Sequence, residues 1–171
     1  SGGITTVAVD QLSEATQLIM SVLMFIGASP SSAGGGIRTT TFAILILFLI
    51  AFSRGRQHIN IFQRRLARKD IERAFAVFTL AVGLVFSGVL IVLIADGHQF
   101  TLTQIIFEVT SAFGTTGTST GITEQLSTVS KLTVMAFMFI GRIGFVSFLL
   151  AISSRQRELT YKYSEERLMV G

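Results

Sequence analysis

The sequence contains no cysteine, only one proline (Pro30) and little charge for its length. Without cysteine there can be no disulfide, no thiolate metal site and no cysteine nucleophile. Charged residues make up 14% of the 171 residues, whereas a typical soluble domain carries about a quarter. The shortage of charge coincides with long apolar runs, which indicates a lipid bilayer as the solvent.

Four apolar segments are present, at residues 15–26, 39–52, 74–95 and 129–152. The first two are too short to cross a hydrocarbon core of about 30 Å alone. We interpret them as one crossing, broken near its middle by residues 27–36, which are rich in glycine and serine. A further stretch, residues 101–113, predicts a short re-entrant helix.

Lysine and arginine collect in two blocks, residues 54–73 and 155–167, beside apolar segments, whereas residues 96–101 contain none. By the positive-inside rule both blocks are cytoplasmic and the turn at Asp96 is external. Membrane topology therefore explains the net charge of +4 better than nucleic-acid binding does. The blocks could also contact anionic lipid head groups.

An internal repeat relates the two ends of the apolar region. Residues 3–27 and 117–141 share a glycine, the tripeptide Gln-Leu-Ser, a leucine and an ending of Met-Phe-Ile-Gly, in one register without a gap. The second copy is preceded by a span and a re-entrant helix, which the first lacks. Because the chain also begins without methionine or a signal-peptide pattern, we expect a fragment or a processed chain.

The polar turn after the re-entrant helix, residues 115–119, has the chemistry of a cation filter. A helix that ends inside a membrane must face protein or a water-filled cavity. Gly117 permits backbone angles that direct carbonyl oxygens inward, where they can replace the hydration shell of a cation. The C-terminal end of the helix adds negative potential at the same point.

The sequence resembles the last third of the potassium-translocating subunits of the Ktr/Trk/HKT superfamily, most of all the bacterial Ktr branch. Three blocks carry the resemblance: residues 107–117 (FEVTSAFGTTG), 138–144 (MFIGRIG) and 31–41 (SSAGGGIRTTT). The resemblance implies an all-α integral membrane fold of span–pore helix–filter–span repeats. Residues 1–70 would then hold the filter strand and broken inner helix of the third repeat, residues 71–155 the fourth repeat, and residues 156–171 a cytoplasmic tail.

The resemblance also implies a role for particular residues. Potassium, as the substrate, would be held by backbone carbonyls around Gly3 and Gly117. Arg142 would be a barrier in the pore that helps to hold a gate. The implied filter residues are Ser1, Gly2, Gly3, Ile4, Thr115, Thr116, Gly117, Thr118 and Ser119. The implied gating loop is Ala28, Ser29, Pro30, Ser31, Ser32, Ala33, Gly34, Gly35 and Gly36.

The residues leave alternatives open. The glycine-rich loop could be a helix-packing or kink site, although three glycines after a proline and serines break a helix rather than pack one. Arg142 lies mid-span, where a bare charge costs at least about 2.5 kcal/mol, so it faces a cavity or partner, or else snorkels to the surface. Arg38 could flank the loop or reach the interface. Glu108 could add negative potential or pair structurally, and we favour pairing.

We therefore expect the pore-forming subunit of a Ktr/Trk-type transporter that takes up potassium across a bacterial plasma membrane, which it crosses several times. The alternative is an ion-coupled secondary transporter with broken helices. A membrane enzyme or scaffold is disfavoured, because His58 and His98 are isolated and residues 34–39 lack the lysine of a phosphate loop. The resemblance implies four partners, namely membrane lipid, the rest of the same polypeptide, a second copy and a cytosolic nucleotide-binding ring. We expect no covalently bound cofactor and no nucleic acid, with sodium as a possible activator.

Overall fold

The computed structural model of the chain describes residues 2–30, 32–55, 60–61, 64–65 and 67–143. Within them the fold is helical: α1 (Glu14–Ile26), α2 (Thr39–Ser53), α3 (Arg68–Asp96), α4 (Leu102–Phe113) and α5 (Thr128–Ile143). Two 3-10 turns, Val9–Gln11 and Thr123–Gln125, precede α1 and α5. An antiparallel pair of two-residue strands, β1 (Asn60–Ile61) and β2 (Arg64–Arg65), lies between α2 and α3; the apolar pattern did not predict it.

The helix bounds agree closely with the apolar segments. Of the helices in the described ranges, one, Lys69–Asp96 of α3, is long and apolar enough to cross a membrane by its length and composition. Helices α1, α2 and α4 are apolar but shorter, as expected for two halves of a broken crossing and a re-entrant helix. The predicted end of the fourth span, up to residue 152, and the tail at residues 156–171 lie outside the described residues.

Helix α4 is the centre of the fold. It packs against α1, α3 and α5, whereas α2 packs against α3. Helix α4 begins with a capping box. The Gln104 N–H donates to the Thr101 hydroxyl oxygen, and the Thr101 N–H donates to the Gln104 side-chain oxygen. Eight of its twelve residues are buried: Ile105, Phe107, Glu108, Val109, Thr110, Ser111, Ala112 and Phe113. A helix this short and this enclosed is held by its neighbours rather than by its own length.

The outer faces of the surrounding helices are apolar and exposed. Ile19 on α1, Phe86 on α3 and Phe139 on α5 each leave more than 60% of their surface open. On a soluble protein such a contiguous apolar surface would promote aggregation. In a bilayer the same surface lies against lipid chains at no cost, so this pattern fits the membrane environment predicted from composition.

The two copies of the sequence repeat have the same local structure at their starts. Each has a 3-10 turn at the same position of the repeat, followed by a serine that caps the next helix. The Ser13 hydroxyl oxygen accepts from the Thr16 N–H, and the Ser127 hydroxyl oxygen accepts from the Ser130 N–H, both at 3.4 Å. Their ends differ. Gly27 leaves the helix with a φ of 74°, whereas the equivalent Gly141 stays inside α5, because Ala-Ser-Pro follows the first glycine and Arg-Ile follows the second.

Candidate functional site

The glycine turn, residues 114–119, folds back against the end of α4. The Gly114 N–H donates to the Thr110 carbonyl at 2.8 Å, and the Thr116 N–H donates to the Ser111 carbonyl at 3.0 Å. Thr115 and Gly117 have positive φ angles of 51° and 85°. Glycine takes the second angle without strain, and the threonine is held in it by the surrounding hydrogen bonds.

The equivalent strand at the N-terminus meets this turn directly. The Gly3 N–H donates to the Thr116 carbonyl at 3.2 Å, and Gly3 has a φ of 61°. A Cβ at Gly3 would overlap the carbonyl group of Gly117, so only glycine allows the two backbones to approach this closely. The two glycines that the repeat pairs in sequence are therefore neighbours in space. Gly2 and Ile4 flank the contact and Ile4 is exposed, while Ser1 lies outside the described residues.

The carbonyl oxygens of the glycine turn fall into two groups. The Thr116 oxygen accepts from Gly3, and the Thr118 oxygen accepts from the Ser111 hydroxyl at 2.5 Å. Within the described ranges, no N–H or hydroxyl donates to the oxygens of Thr115 or Gly117. These two oxygens keep their lone pairs for another ligand.

The broken-helix loop, residues 28–36, is seated under the glycine turn. The Gly35 N–H donates to the Thr115 hydroxyl at 2.8 Å and to the Gly114 carbonyl at 3.2 Å. A Cβ on Gly35 would lie 2.8 Å from the Gly141 carbonyl oxygen and 2.9 Å from that of Phe113. The absence of a side chain at Gly35 is therefore what lets the loop reach the end of α4.

The base of this loop is fastened by backbone hydrogen bonds across the break. The Arg38 N–H donates to the Ile26 carbonyl at 2.9 Å, the Ile37 N–H to that of Phe25 at 3.3 Å and the Ala28 N–H to that of Gly35 at 3.3 Å. The tip of the loop, residues 29–33, is exposed where the structure describes it; Ser31 lies outside the described residues. The base is thus part of the packed structure and the tip projects from it.

Two arginines bind the tip through main-chain carbonyl oxygens. Arg142 Nη1 donates to the Ala33 oxygen at 2.6 Å, across 109 positions of sequence. Arg38 Nη1 donates to the Pro30 oxygen at 3.1 Å. Both arginines are exposed and each has a partner in the loop.

A cavity of about 340 Å³ lies between the glycine turn and the loop. Residues of α1 form its side wall. Its lining is Met20, Leu23, Met24, Gly27, Ala28, Gly34, Gly114, Thr115 and Thr116. The predicted filter and the predicted gate therefore both line one open pocket, which is mostly apolar.

Comparison with known proteins decides the family. A family model described as a cation transport protein, TrkH, matches residues 1–160. The chain belongs to the TrkH family. The Ktr system potassium uptake protein D of Bacillus subtilis is 48% identical to it over 171 residues, which are 100% of this chain and 38% of that protein. The potassium/sodium uptake protein NtpJ of Enterococcus hirae is 33% identical over 165 residues, 94% of this chain and 37% of that protein.

A third relative of this TrkH-family chain, the Ktr system potassium uptake protein B of Vibrio alginolyticus, is 30% identical over 171 residues, 100% of this chain and 37% of that protein. The chain spans a little over a third of the length of these curated relatives. The recognition of a Ktr/Trk-type sequence from its motifs is thereby confirmed.

Sequence reasoning missed one side chain of this TrkH-family site and favoured the right behaviour for another. Ser111 was not singled out, although its carbonyl accepts from the Thr116 N–H and its hydroxyl donates to the Thr118 carbonyl, on either side of Gly117. Glu108 is 4% exposed and does pair, with hydroxyl and amide donors that follow the turn rather than with a basic residue. The available signal was their position, since residues three apart on a helix share one face.

Proposed function

We propose that the chain is part of the pore-forming subunit of a potassium uptake transporter in a bacterial plasma membrane. The observation that carries the proposal is the stacking of the glycine turn on the broken-helix loop, with a cavity of about 340 Å³ between them. A polar turn in which the carbonyl oxygens of Thr115 and Gly117 are unpaired among the described residues suits a dehydrated cation. A loop of small residues below it can obstruct or open the path.

In this proposal the filter is built from residues 2–4 and 115–119 with Ser1. The unpaired oxygens of Thr115 and Gly117 and the end of α4, with its negative dipole potential, support it. The Thr116 oxygen is bonded to Gly3 and the Thr118 oxygen to Ser111 here, so cation binding would use the oxygens of Thr115 and Gly117. Two strands cannot surround an ion, and we propose that further strands of a longer polypeptide complete the ring.

The exposure of equivalent positions supports that further contact. Met24 on α1 is 7% exposed against α4, whereas its equivalent on α5, Met138, is 44% exposed. Conversely Phe137 on α5 is 6% exposed, and its equivalent on α1, Leu23, is 61% exposed. Helix α5 is thus exposed at the position where α1 is covered, and α1 is exposed at the position where α5 is covered. We propose that the rest of the same polypeptide covers both positions.

We propose that residues 28–36 act as the gate and that Arg142 is a cation barrier fastened to it. Arg142 puts a positive charge beside the ion path while its bond to Ala33 keeps the loop tip in place. The loop is not a helix kink in this proposal, because its residues bond across the break rather than continuing the helix.

The proposal extends to partners in the same way. The exposed apolar faces would contact lipid, and a second copy and a cytosolic nucleotide-binding ring would complete a Ktr-type system. The name of the Bacillus subtilis relative, which refers to such a system, supports this part. Sodium could act as an activator, since the Enterococcus relative is named for both potassium and sodium.

The test is cation flux through the complete protein in proteoliposomes. We expect an imposed membrane potential alone to drive entry of potassium or radioactive rubidium. Flux that requires a sodium or proton gradient would instead indicate the ion-coupled secondary transporter. No flux in either case would overturn the proposal.

A further inference from the structure

Glu108 is a carboxylate buried on α4, the helix that packs against α1, α3 and α5. It lies on α4, one turn before the end of the helix, and is 4% exposed. Its partners among the described residues are all neutral donors. Oε1 accepts from the Ser119 hydroxyl at 2.5 Å, the Thr120 N–H at 2.9 Å and the Thr120 hydroxyl at 3.1 Å, and Oε2 accepts from the Thr123 hydroxyl at 3.0 Å.

These bonds satisfy both carboxylate oxygens and concentrate on one short segment. Hydrogen bonds to an ionised group are about twice as strong as those between neutral groups. Removing one partner of such a buried network leaves the others unpaired at substantial cost. Glu108 therefore ties Ser119, Thr120 and Thr123 to α4.

Ser111, three positions further along the same face of α4, holds the preceding part of the segment. Its hydroxyl donates to the Thr118 carbonyl, and its own carbonyl accepts from the Thr116 N–H. Gly117 lies between these two Ser111 contacts, and the Glu108 contacts begin two residues later, at Ser119. One face of α4 thus holds the turn and the segment that directly follows Thr118.

We propose that Glu108 is a positioning residue that sets the cation selectivity of the glycine turn, an inference that rests on the proposed transport function. It never touches the ion. It acts by fixing Ser119 and Thr120, which directly follow Thr118, and so by limiting how far the carbonyl oxygens of the turn can move toward a smaller cation. A binding site must be held by such supporting contacts to within about half an ångström if it is to discriminate.

Three variants of the complete protein separate this role from an effect of charge. Glu108→Gln removes the charge and half of the acceptor capacity with little change of shape. The double variant Ser119→Ala/Thr123→Val keeps the carboxylate and removes two donors. Glu124→Gln is the matched control, because Glu124 is exposed on the adjacent 3-10 turn and its loss changes the local charge equally.

The measurement is the ratio of potassium to sodium uptake in proteoliposomes. We expect Glu108→Gln and the double variant each to lower the ratio by about tenfold, the size of one charge-assisted hydrogen bond, and Glu124→Gln to leave it unchanged. An unchanged ratio in the double variant, or an equal fall in Glu124→Gln, would overturn the proposal in favour of a charge effect.

Hydrogen exchange of a peptide covering residues 114–125 gives a second readout that does not depend on transport. We expect faster exchange in Glu108→Gln and in the double variant than in Glu124→Gln. Unchanged exchange in Glu108→Gln would overturn the positioning role. Absence of uptake by the unmodified protein would instead overturn the transport proposal, and the exchange data would still decide the role of Glu108.

Discussion

Arg142 of α5 donates to the main-chain oxygen of Ala33, at the tip of the loop that follows the first copy of the repeat, at 2.6 Å. The bond links the end of α5 to the loop between α1 and α2. Because the acceptor is a backbone carbonyl, the loop neutralises none of the arginine's charge. One side chain can therefore fasten the loop and repel cations at once.

Replacement of Arg142 by alanine should raise cation flux. The substitution removes both the positive charge and a charge-assisted hydrogen bond of about 1.5–3 kcal/mol, which corresponds to a shift of roughly tenfold or more in the equilibrium between bound and released loop tip. The measurement is the initial rate of rubidium entry into proteoliposomes at a fixed membrane potential.

Lys131→Ala is the matched control for that experiment. Lys131 is an exposed cation on the same helix, and it donates to the Glu124 carbonyl at 2.8 Å rather than to the loop. Its loss should leave the rate unchanged. A rate for Arg142→Ala that is equal to or below that of the unmodified protein, with the protein normally folded, would contradict the barrier role.

Gly35→Ala should release the loop from the glycine turn. The added methyl group would meet the backbone oxygens of Gly141 and Phe113 at 2.8 and 2.9 Å, and neither can move without disturbing a helix. Since the sequence has no cysteine, Ala33→Cys introduces a single thiol into it as a reporter. Inserting a methyl group into a packed site costs about 1–3 kcal/mol, which favours release of the loop. We therefore expect this thiol to react several-fold faster with a water-soluble maleimide in the Gly35→Ala background.

The same reporter with Gly55→Ala provides a comparison, because nothing lies within 4 Å of a Cβ at Gly55. Its φ of 64° makes the substitution strained, so it tests whether general strain alone exposes the thiol. Equal reaction rates in the two backgrounds would count against the close contact of Gly35 with the backbone oxygens of Gly141 and Phe113.

Alanine substitution of two glycines of α3 should change the stability of the protein in opposite directions. A Cβ at Gly88 would overlap the ring of Phe137 on α5, whereas nothing lies within 4 Å of one at Gly83. Gly88→Ala should therefore destabilise the protein by about 1–3 kcal/mol. Gly83→Ala should stabilise it by up to about 1 kcal/mol, because alanine favours the helix.

Thermal unfolding in detergent measures both effects, and Phe137→Leu should recover part of the loss in Gly88→Ala by making room for the methyl group. If Gly88→Ala unfolds at or above the temperature of Gly83→Ala, the close contact between α3 and α5 does not form.

The lengths and ends of the helices could be predicted from the sequence because local chemistry determines them. Apolar runs, Ser13 and Thr101 as caps and the glycines after Ile26 all act within a few residues. The repeat also predicted which two glycines would correspond. The predicted bounds differ from the observed ones by one residue at one end of α1, α2 and α4, whereas α3 begins six residues before the apolar run that predicted it.

The contacts that organise the site could not be predicted, because they join distant parts of the chain. No local pattern indicates that Gly35 reaches Phe113 or that Arg142 reaches Ala33. The repeat even suggests the wrong analogy at its end, where identical Met-Phe-Ile-Gly sequences leave the helix in one copy and continue it in the other. Only the residues beyond the repeat, and the packing that they allow, separate the two outcomes.

The fastened base of the broken-helix loop limits what opening would cost. The two ends of the loop are joined by backbone hydrogen bonds between residues 25–28 and 35–39. In the proposed gate, the tip would therefore move while α1 and α2 keep their positions. Moving such a two-state element from about 1% to 99% open takes about 5.5 kcal/mol. The two arginine bonds, at about 1.5–3 kcal/mol each, amount to between about half and all of that free energy. In the proposed gate, a signal that withdrew both side chains would therefore supply a large part of the change without repacking a helix.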